Sequence, residues 1–158
     1  MKSEKQIDVL LVSSTGGHFA QLMQIVKTLE EYNISIITEK NKTTDGLEKR
    51  YEINFLFQQD RKKLNFLFVF LLNLILSFSY LVKANPKVII STGAGATLPL
   101  LFFGKLLGKK IIFIESFAKI HSPTLTGKIV YKFADKFYVQ WESMLQFYPR
   151  AIFKGGIY

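Results

Sequence analysis

A single α/β domain, a Rossmann-like parallel sheet with helices on both faces, is the fold class this sequence predicts, and three features predict it. Short runs rich in Val, Ile, Leu and Phe alternate along the chain with segments of helical spacing. The strand-like runs lack an apolar/polar alternation, as strands covered on both faces do. Two glycine-rich turns, residues 13–18 and 91–97, each sit between a strand-like run and a helical one. With 158 residues, 49% hydrophobic, and four prolines, the chain has material for one sizeable core.

Taken in order, Ile7 to Val12 is a short apolar strand. Phe19 to Tyr32 follows, with Phe19, Leu22, Met23, Ile25, Val26 and Leu29 spaced along one helical face. Ile34 to Thr38 reads as a strand, Asn41 to Tyr51 as a polar connection, and Ile53 to Phe57 as a third strand. After a long apolar segment come a strand at Lys87 to Ser91, a helix within Thr97 to Leu107 and a strand at Lys110 to Ile114. A helix at Leu125 to Phe133 and a strand at Lys136 to Val139 complete about six strands, the number one Rossmann-like unit needs. No internal repeat, low-complexity tract or Pro/Ser-rich linker divides the chain. Residues 1–147 therefore form the domain, and residues 148–158, ending Lys154-Gly155-Gly156-Ile157-Tyr158, form a less periodic tail suited to docking on a partner.

The formal charge of +9 is unevenly placed. Residues 1–60 carry 7 Lys/Arg against 9 Asp/Glu, and residues 61–158 carry 14 against 3. A basic half of this kind attracts nucleic acid, anionic lipid or a phosphorylated substrate. Nucleic acid is disfavoured, because no RNA-recognition signature is present and the aromatics lie in apolar runs rather than among basic residues. The absence of cysteine removes disulfides and thiolate metal sites, and two lone histidines argue against zinc or iron, so no metal or cofactor is expected. Met1 to Gln6 is polar and lacks the apolar core of a signal peptide, which predicts a cytoplasmic protein on the inner face of a membrane.

The glycine turns are the candidate site. The first strand runs into Ser13-Ser14-Thr15-Gly16-Gly17-His18, the fourth into Ser91-Thr92-Gly93-Ala94-Gly95-Ala96-Thr97. In the strand order 3-2-1-4-5-6 the first and fourth strands are neighbours where the winding reverses, and both turns open on one crevice. Glycine lets backbone N–H groups approach an oxyanion, and the following helix N-terminus adds a favourable dipole. Ser14, Thr15, Gly16, Gly17, Thr92, Gly93, Gly95 and Thr97 are thus candidate diphosphate contacts. The alternative is that the glycines only make tight turns and Thr97 caps the helix that Pro99 begins. A nicotinamide dinucleotide would want G-x-G-x-x-G with an acid about 20 positions on. Glu39 is in range, but Gly16 and Gly17 are adjacent and His18 and Phe19 take the next places, so the oxidoreductase reading fits poorly. His18 suits a general base for an acceptor hydroxyl or a donor to phosphate, the alternative being a histidine that only caps the crevice wall; Glu115, at the carboxyl end of the fifth strand, is the second catalytic candidate, the alternative being a pair with a basic neighbour.

Leu64 to Val82 holds 19 residues without a charge, between Arg61, Lys62 and Lys63 on one side and Lys83 and Lys87 on the other. Its length would span a bilayer, but it joins two strands of one sheet, which demands insertion from one side only. Asn73, Ser77 and Tyr80 supply a thin polar stripe, too thin for the apolar remainder to be buried on a sheet. Basic flanks beside Phe66, Phe68, Phe70, Leu71, Leu74, Ile75 and Phe78 match an interfacial helix on anionic lipid; a buried helix at a partner interface is the other reading.

With these residues in view, the sequence resembles bacterial exopolysaccharide and capsule subunits related to the membrane-anchor chain of the eukaryotic two-subunit N-acetylglucosaminyltransferase of dolichol-linked glycan assembly. It is also similar to the N-terminal half of MurG, the single-chain transferase of peptidoglycan precursor synthesis. The segments that carry the likeness are Ser14 to His18, Ser91 to Pro99, Glu115 to Lys119, Ser122 to Lys128 and Val139 to Trp141. The resemblance implies the acceptor half of a GT-B glycosyltransferase, with a small donor-binding glycosyltransferase chain as partner. It implies transfer of a hexose from a UDP-sugar to a polyprenyl-diphosphate-linked sugar, with the glycine turns holding the diphosphate and His18 matching the family's first-loop histidine. A non-catalytic scaffold that recruits a soluble transferase to the membrane is the alternative.

Overall fold

The computed structural model describes residues 7–59 and 65–158. The readings placed on Met1 to Gln6, on the basic flank Arg61 to Lys63 and on Leu64 lie outside those residues. Seven strands form one sheet: β1 (Val9–Ser13), β2 (Ile34–Glu39), β3 (Ile53–Leu56), β4 (Val88–Gly93), β5 (Lys110–Ile114), β6 (Lys136–Val139) and β7 (Ile152–Phe153). All pairings are parallel, in the order β3-β2-β1-β4-β5-β6-β7. The reversal of winding between β1 and β4 is the one the sequence predicts, and the seventh strand is additional.

Four helices connect them: α1 (Gly17–Val26), α2 (Phe66–Ala84), α3 (Leu98–Leu106) and α4 (Leu125–Val130). Alternate strand residues divide the core between the two faces. Val9, Leu11, Ile36 and Ile90 pack with Phe19, Leu22 and Val26 of α1. Leu10, Val12, Ile37, Ile89, Ile111 and Phe113 pack on the opposite face, with Leu81 of α2, Leu100 and Leu101 of α3 and Val130 of α4. The α1 helix is shorter than its periodicity suggests: it ends at Val26, and the Thr28 hydroxyl then donates to the Ile25 carbonyl at 2.8 Å while the chain turns.

The segment read as a tail is partly built into the domain. Tyr148 is buried in the core, Ile152 and Phe153 pair with Tyr138 and Val139 of β6, and the Ile157 N–H donates to Gln140 Oε1 at 3.0 Å. Tyr148 escapes periodicity analysis because it reaches the core from a short turn, not from a helix or strand.

The α2 helix is inverted relative to an ordinary surface helix. Its buried positions are Asn73, Ser77 and Leu81, while Leu67, Phe68, Leu71, Ile75, Phe78 and Val82 are exposed. The Phe57 N–H donates to Asn73 Oδ1 and Asn73 Nδ2 donates to the Phe57 carbonyl, both at 2.8 Å. The Tyr80 hydroxyl donates to the Phe55 carbonyl at 3.2 Å. The polar stripe thus faces the edge strand, where Asn73 and Tyr80 satisfy main-chain groups, and the apolar side faces outward.

Candidate functional site

The two glycine turns meet at the carboxyl ends of β1 and β4. The Ser14 N–H donates to the Gly93 carbonyl at 2.8 Å, and the Thr92 hydroxyl donates to the His18 carbonyl at 2.8 Å. Gly16 has φ +74° and Gly17 opens α1; both are exposed. The Ala20 N–H returns to the Gly16 carbonyl at 3.0 Å, so the amides of Gly17, His18 and Phe19 are the first-turn donors without a helical partner. An anion seated there meets unpaired N–H groups and the positive end of the α1 dipole.

His18 spans the two turns. Its Nδ1 lies 2.6 Å from the Thr92 carbonyl oxygen. A carbonyl only accepts, so Nδ1 carries the proton and the neutral ring keeps its lone pair on Nε2. The ring rests on Gly93, where φ is +96° and an added Cβ would lie 3.1 Å from His18 Cε1 and Nδ1. Glycine is required at 93 on both counts. The resulting site offers an oriented imidazole base beside a helix N-terminus, suited to taking a proton from a hydroxyl while a phosphate group is held nearby.

Among the other predicted contacts the hydroxyls divide. Thr92 and Thr97 are fully buried. The Thr92 hydroxyl is committed to His18, and that of Thr97 donates to the Ala94 carbonyl at 2.7 Å. Thr97 does not cap α3 through its side chain. Both therefore build the turn instead of facing a ligand. Gly95 opens a short 3-10 turn into α3 and is partly exposed, as is Thr15, whereas Ser14 is buried.

Glu115 is separated from solvent, with 1% of its surface accessible. It accepts hydrogen bonds from the Ser116 N–H at 2.8 Å, the Thr124 N–H at 3.2 Å, the Thr124 hydroxyl at 2.9 Å and the Tyr148 hydroxyl at 2.7 Å. Thr124 in turn caps α4 by accepting from the Gly127 N–H at 2.8 Å. A Cβ on Gly127 would collide with Glu115, Tyr148 and Thr124 together. Burial, reinforced by the Glu115 carboxylate, raises the Tyr148 phenol far above its ordinary value and keeps it a donor. The carboxylate expected to do chemistry is instead the hub that fixes the 116–124 loop, which the Trp141 Nε1–H also holds by donating to the Phe117 carbonyl at 2.6 Å.

Glu39, which the sequence offers only as the acid of a poorly matched dinucleotide fingerprint, lies behind the first turn with 5% exposure. It accepts from the Thr15 N–H at 3.3 Å and the Gln59 N–H at 2.8 Å. Its position at the end of a predicted strand next to the switch point was the available signal. A cavity of about 730 Å³ lies at the opposite end of the sheet, among Tyr51, Asn54, Tyr80 and Asn85, remote from the glycine turns.

The predicted membrane residues fall into two groups. Phe68, Leu71, Ile75 and Phe78 are exposed, with Phe68 and Ile75 each at 63%, while Phe66, Phe70 and Leu74 are half-buried. Leu67 and Val82, not expected, join the outer stripe, and Phe102 and Leu106 of α3 add to the exposed apolar surface, with Phe78 and Phe103 in edge contact at 5.3 Å between centroids. The α2 helix is long and apolar enough to cross a membrane, but it lies against the β3 edge that Asn73 and Tyr80 hold.

The chain is 30% identical to the UDP-N-acetylglucosamine transferase subunit ALG14 of Candida albicans, covering 96% of this chain and 78% of that protein. It is 21% identical to the human protein of the same name, covering 97% of this chain and 84% of the relative. Among solved structures, MurG of Acinetobacter baumannii superposes with a TM-score of 0.70 at 15% identity over 86% of this chain. The UDP-N-acetylglucosamine 2-epimerase of Rickettsia bellii superposes with a TM-score of 0.73 at 11% identity over 96%. The chain spans 42% and 45% of those two enzymes, so it has the fold of about half of each, as expected for one Rossmann-like half of a GT-B arrangement. The family model described as "Oligosaccharide biosynthesis protein Alg14 like" matches residues 9–157, nearly the whole chain, and the protein belongs to that family.

Proposed function

We propose that this chain is the acceptor-side, membrane-associating subunit of a two-chain glycosyltransferase, moving N-acetylglucosamine from its UDP derivative to a polyprenyl-diphosphate-linked sugar in polysaccharide assembly. The observation that carries this reading is the junction of the two glycine turns through His18, which sets an oriented base beside a helix N-terminus at the switch point of the sheet. The diphosphate binds at the exposed Gly16–Gly17 turn, and His18 Nε2 takes the proton of the attacking acceptor hydroxyl. The names of the relatives support the donor. A separate donor-binding chain completes the active site, docking in part on the aromatic end of the chain, where the Tyr158 ring packs on Phe117 at 5.3 Å between centroids. The outer face of α2 holds the complex to the cytoplasmic face of the membrane, with Lys83 at its end to meet anionic headgroups. Glu115 acts by positioning the loop behind the crevice.

The test is transfer of radiolabelled N-acetylglucosamine from its UDP derivative to polyprenyl-diphosphate-N-acetylglucosamine by this chain, by the partner, and by both. Activity confined to the mixture, abolished by Gly17→Asp with membrane binding retained, is the expected result. Full activity from the partner alone would reduce this chain to a scaffold, and full activity with Gly17→Asp would remove the diphosphate role.

A further inference from the structure

We propose that Glu39 is a positioning residue that registers the first glycine turn on the seat of α2. Its carboxylate reaches in two directions from the end of β2, with Oε2 accepting from Thr15 N–H at 3.3 Å and Oε1 from Gln59 N–H at 2.8 Å. The residue is fixed at its backbone as well, since the Thr44 hydroxyl donates to the Glu39 carbonyl at 3.2 Å and the Lys40 N–H donates to the Leu56 carbonyl at 2.9 Å. Two residues before Gln59, Phe57 is held through both its N–H and its carbonyl by Asn73 of α2. A continuous set of contacts therefore runs from the inner side of the apolar helix, through Phe57 to Gln59, across the Glu39 side chain, to the residue immediately before Gly16.

The chemistry selects a carboxylate. Both partners are donors, and a carboxylate accepts from both, whereas a glutamine accepts through its carbonyl oxygen and turns an NH₂ toward the second N–H. A buried acid is tolerated where such bonds replace its hydration. Occupying the Thr15 N–H also decides where an incoming anion sits: the free donors begin beyond Thr15, at Gly16, Gly17 and His18, beside the imidazole. Glu39 thus acts through the turn and touches neither the reacting hydroxyl nor the diphosphate.

The ligand half of this inference rests on the function proposed above; the registration itself is a property of this chain. Two measurements separate them. In the reconstituted pair, Glu39→Gln and Glu39→Ala are expected to raise KM for polyprenyl-diphosphate-N-acetylglucosamine about ten-fold, the size expected for losing a charge-assisted hydrogen bond, while kcat and KM for the UDP-sugar stay within about two-fold. In this chain alone, bound to phosphatidylglycerol/phosphatidylethanolamine vesicles, hydrogen exchange in both variants should speed up over residues 12–22 and be unchanged over β5 and β6. An unaltered acceptor KM with unaltered exchange overturns the proposal, and so does a loss spread equally over kcat and both KM values with faster exchange throughout, which is what a merely structural residue would give. Should the wild-type pair transfer no sugar, the function fails, and the exchange pattern still decides the registration.

Discussion

The two long helices of this domain lie on opposite faces of one sheet and solve opposite problems. The α1 helix buries Phe19, Leu22 and Val26, with Gln21 the one polar residue beside them, and presents its amino end to the crevice. The α2 helix buries Asn73 and Ser77 and turns Phe68, Leu71, Ile75 and Phe78 outward. An apolar inner stripe needs only shape to stay in place, because burial is non-directional. A polar inner stripe needs particular partners: Asn73 finds them at Phe57, just past the end of β3, and Tyr80 at the Phe55 carbonyl within it. One helix is held by the hydrophobic effect and leaves polar atoms open at the crevice; the other is held in part by hydrogen bonds and leaves apolar surface outward.

The strongest way to break the contrast is to charge the outer face of α2. Phe68→Glu with Ile75→Glu charges two of the residues proposed to contact lipid, each worth about 1.5–3 kcal/mol when fully buried, so vesicle partitioning should fall about 100-fold or more. Gln24→Glu on α1 should leave flotation with vesicles unchanged. At the other pole, His18→Ala should lower kcat of the reconstituted pair about 100-fold or more, the range for a lost general base, and leave vesicle binding intact.

Asn73→Ala tests the inner side of α2. It strips two hydrogen bonds from Phe57 and should cost about 2–4 kcal/mol in denaturant unfolding, since partly buried main-chain groups lose their partners. The smallest effect belongs to a feature outside the comparison. Burial opposes the charge on Asp135, but the Ile111 N–H and the Lys105 ammonium outweigh it and hold its carboxyl below the usual carboxylate range. A depressed folded value means that the stability it contributes is complete above the ordinary value of 3.8 and is lost as pH falls through the lower folded value. The group is part-exposed, so Asp135→Asn should flatten the acid limb of the pH–stability curve by less than about 1 kcal/mol.

The sheet order, the switch point and the junction of the glycine turns were legible in the sequence because apolar runs and glycine positions are local signals and the winding rule converts them into neighbours. The orientation of α2 was half legible. Hydropathy marked Asn73, Ser77 and Tyr80 as a distinct stripe, but periodicity reports that a helix has two sides without saying which one meets the sheet. Glu39 and Glu115 show the other limit. Each is an acid at the end of a strand, and only long-range contacts reveal that Thr15 and Gln59 occupy one and that Thr124 and Tyr148 occupy the other. A strand-end carboxylate looks the same in sequence whether it faces substrate or main chain.

The pairing of Asn73 with Phe57 and of Tyr80 with Phe55 also bears on how the protein behaves in solution. A chain that carries oily surface will meet other copies through it while still dissolved, and such encounters become irreversible when a free strand edge lies nearby. The helix that supplies the oily surface also closes the end of the outer strand, with a side-chain amide standing in for the next strand. The strand edge beside the outward apolar face is thereby closed at Phe55 and Phe57 to pairing with another copy.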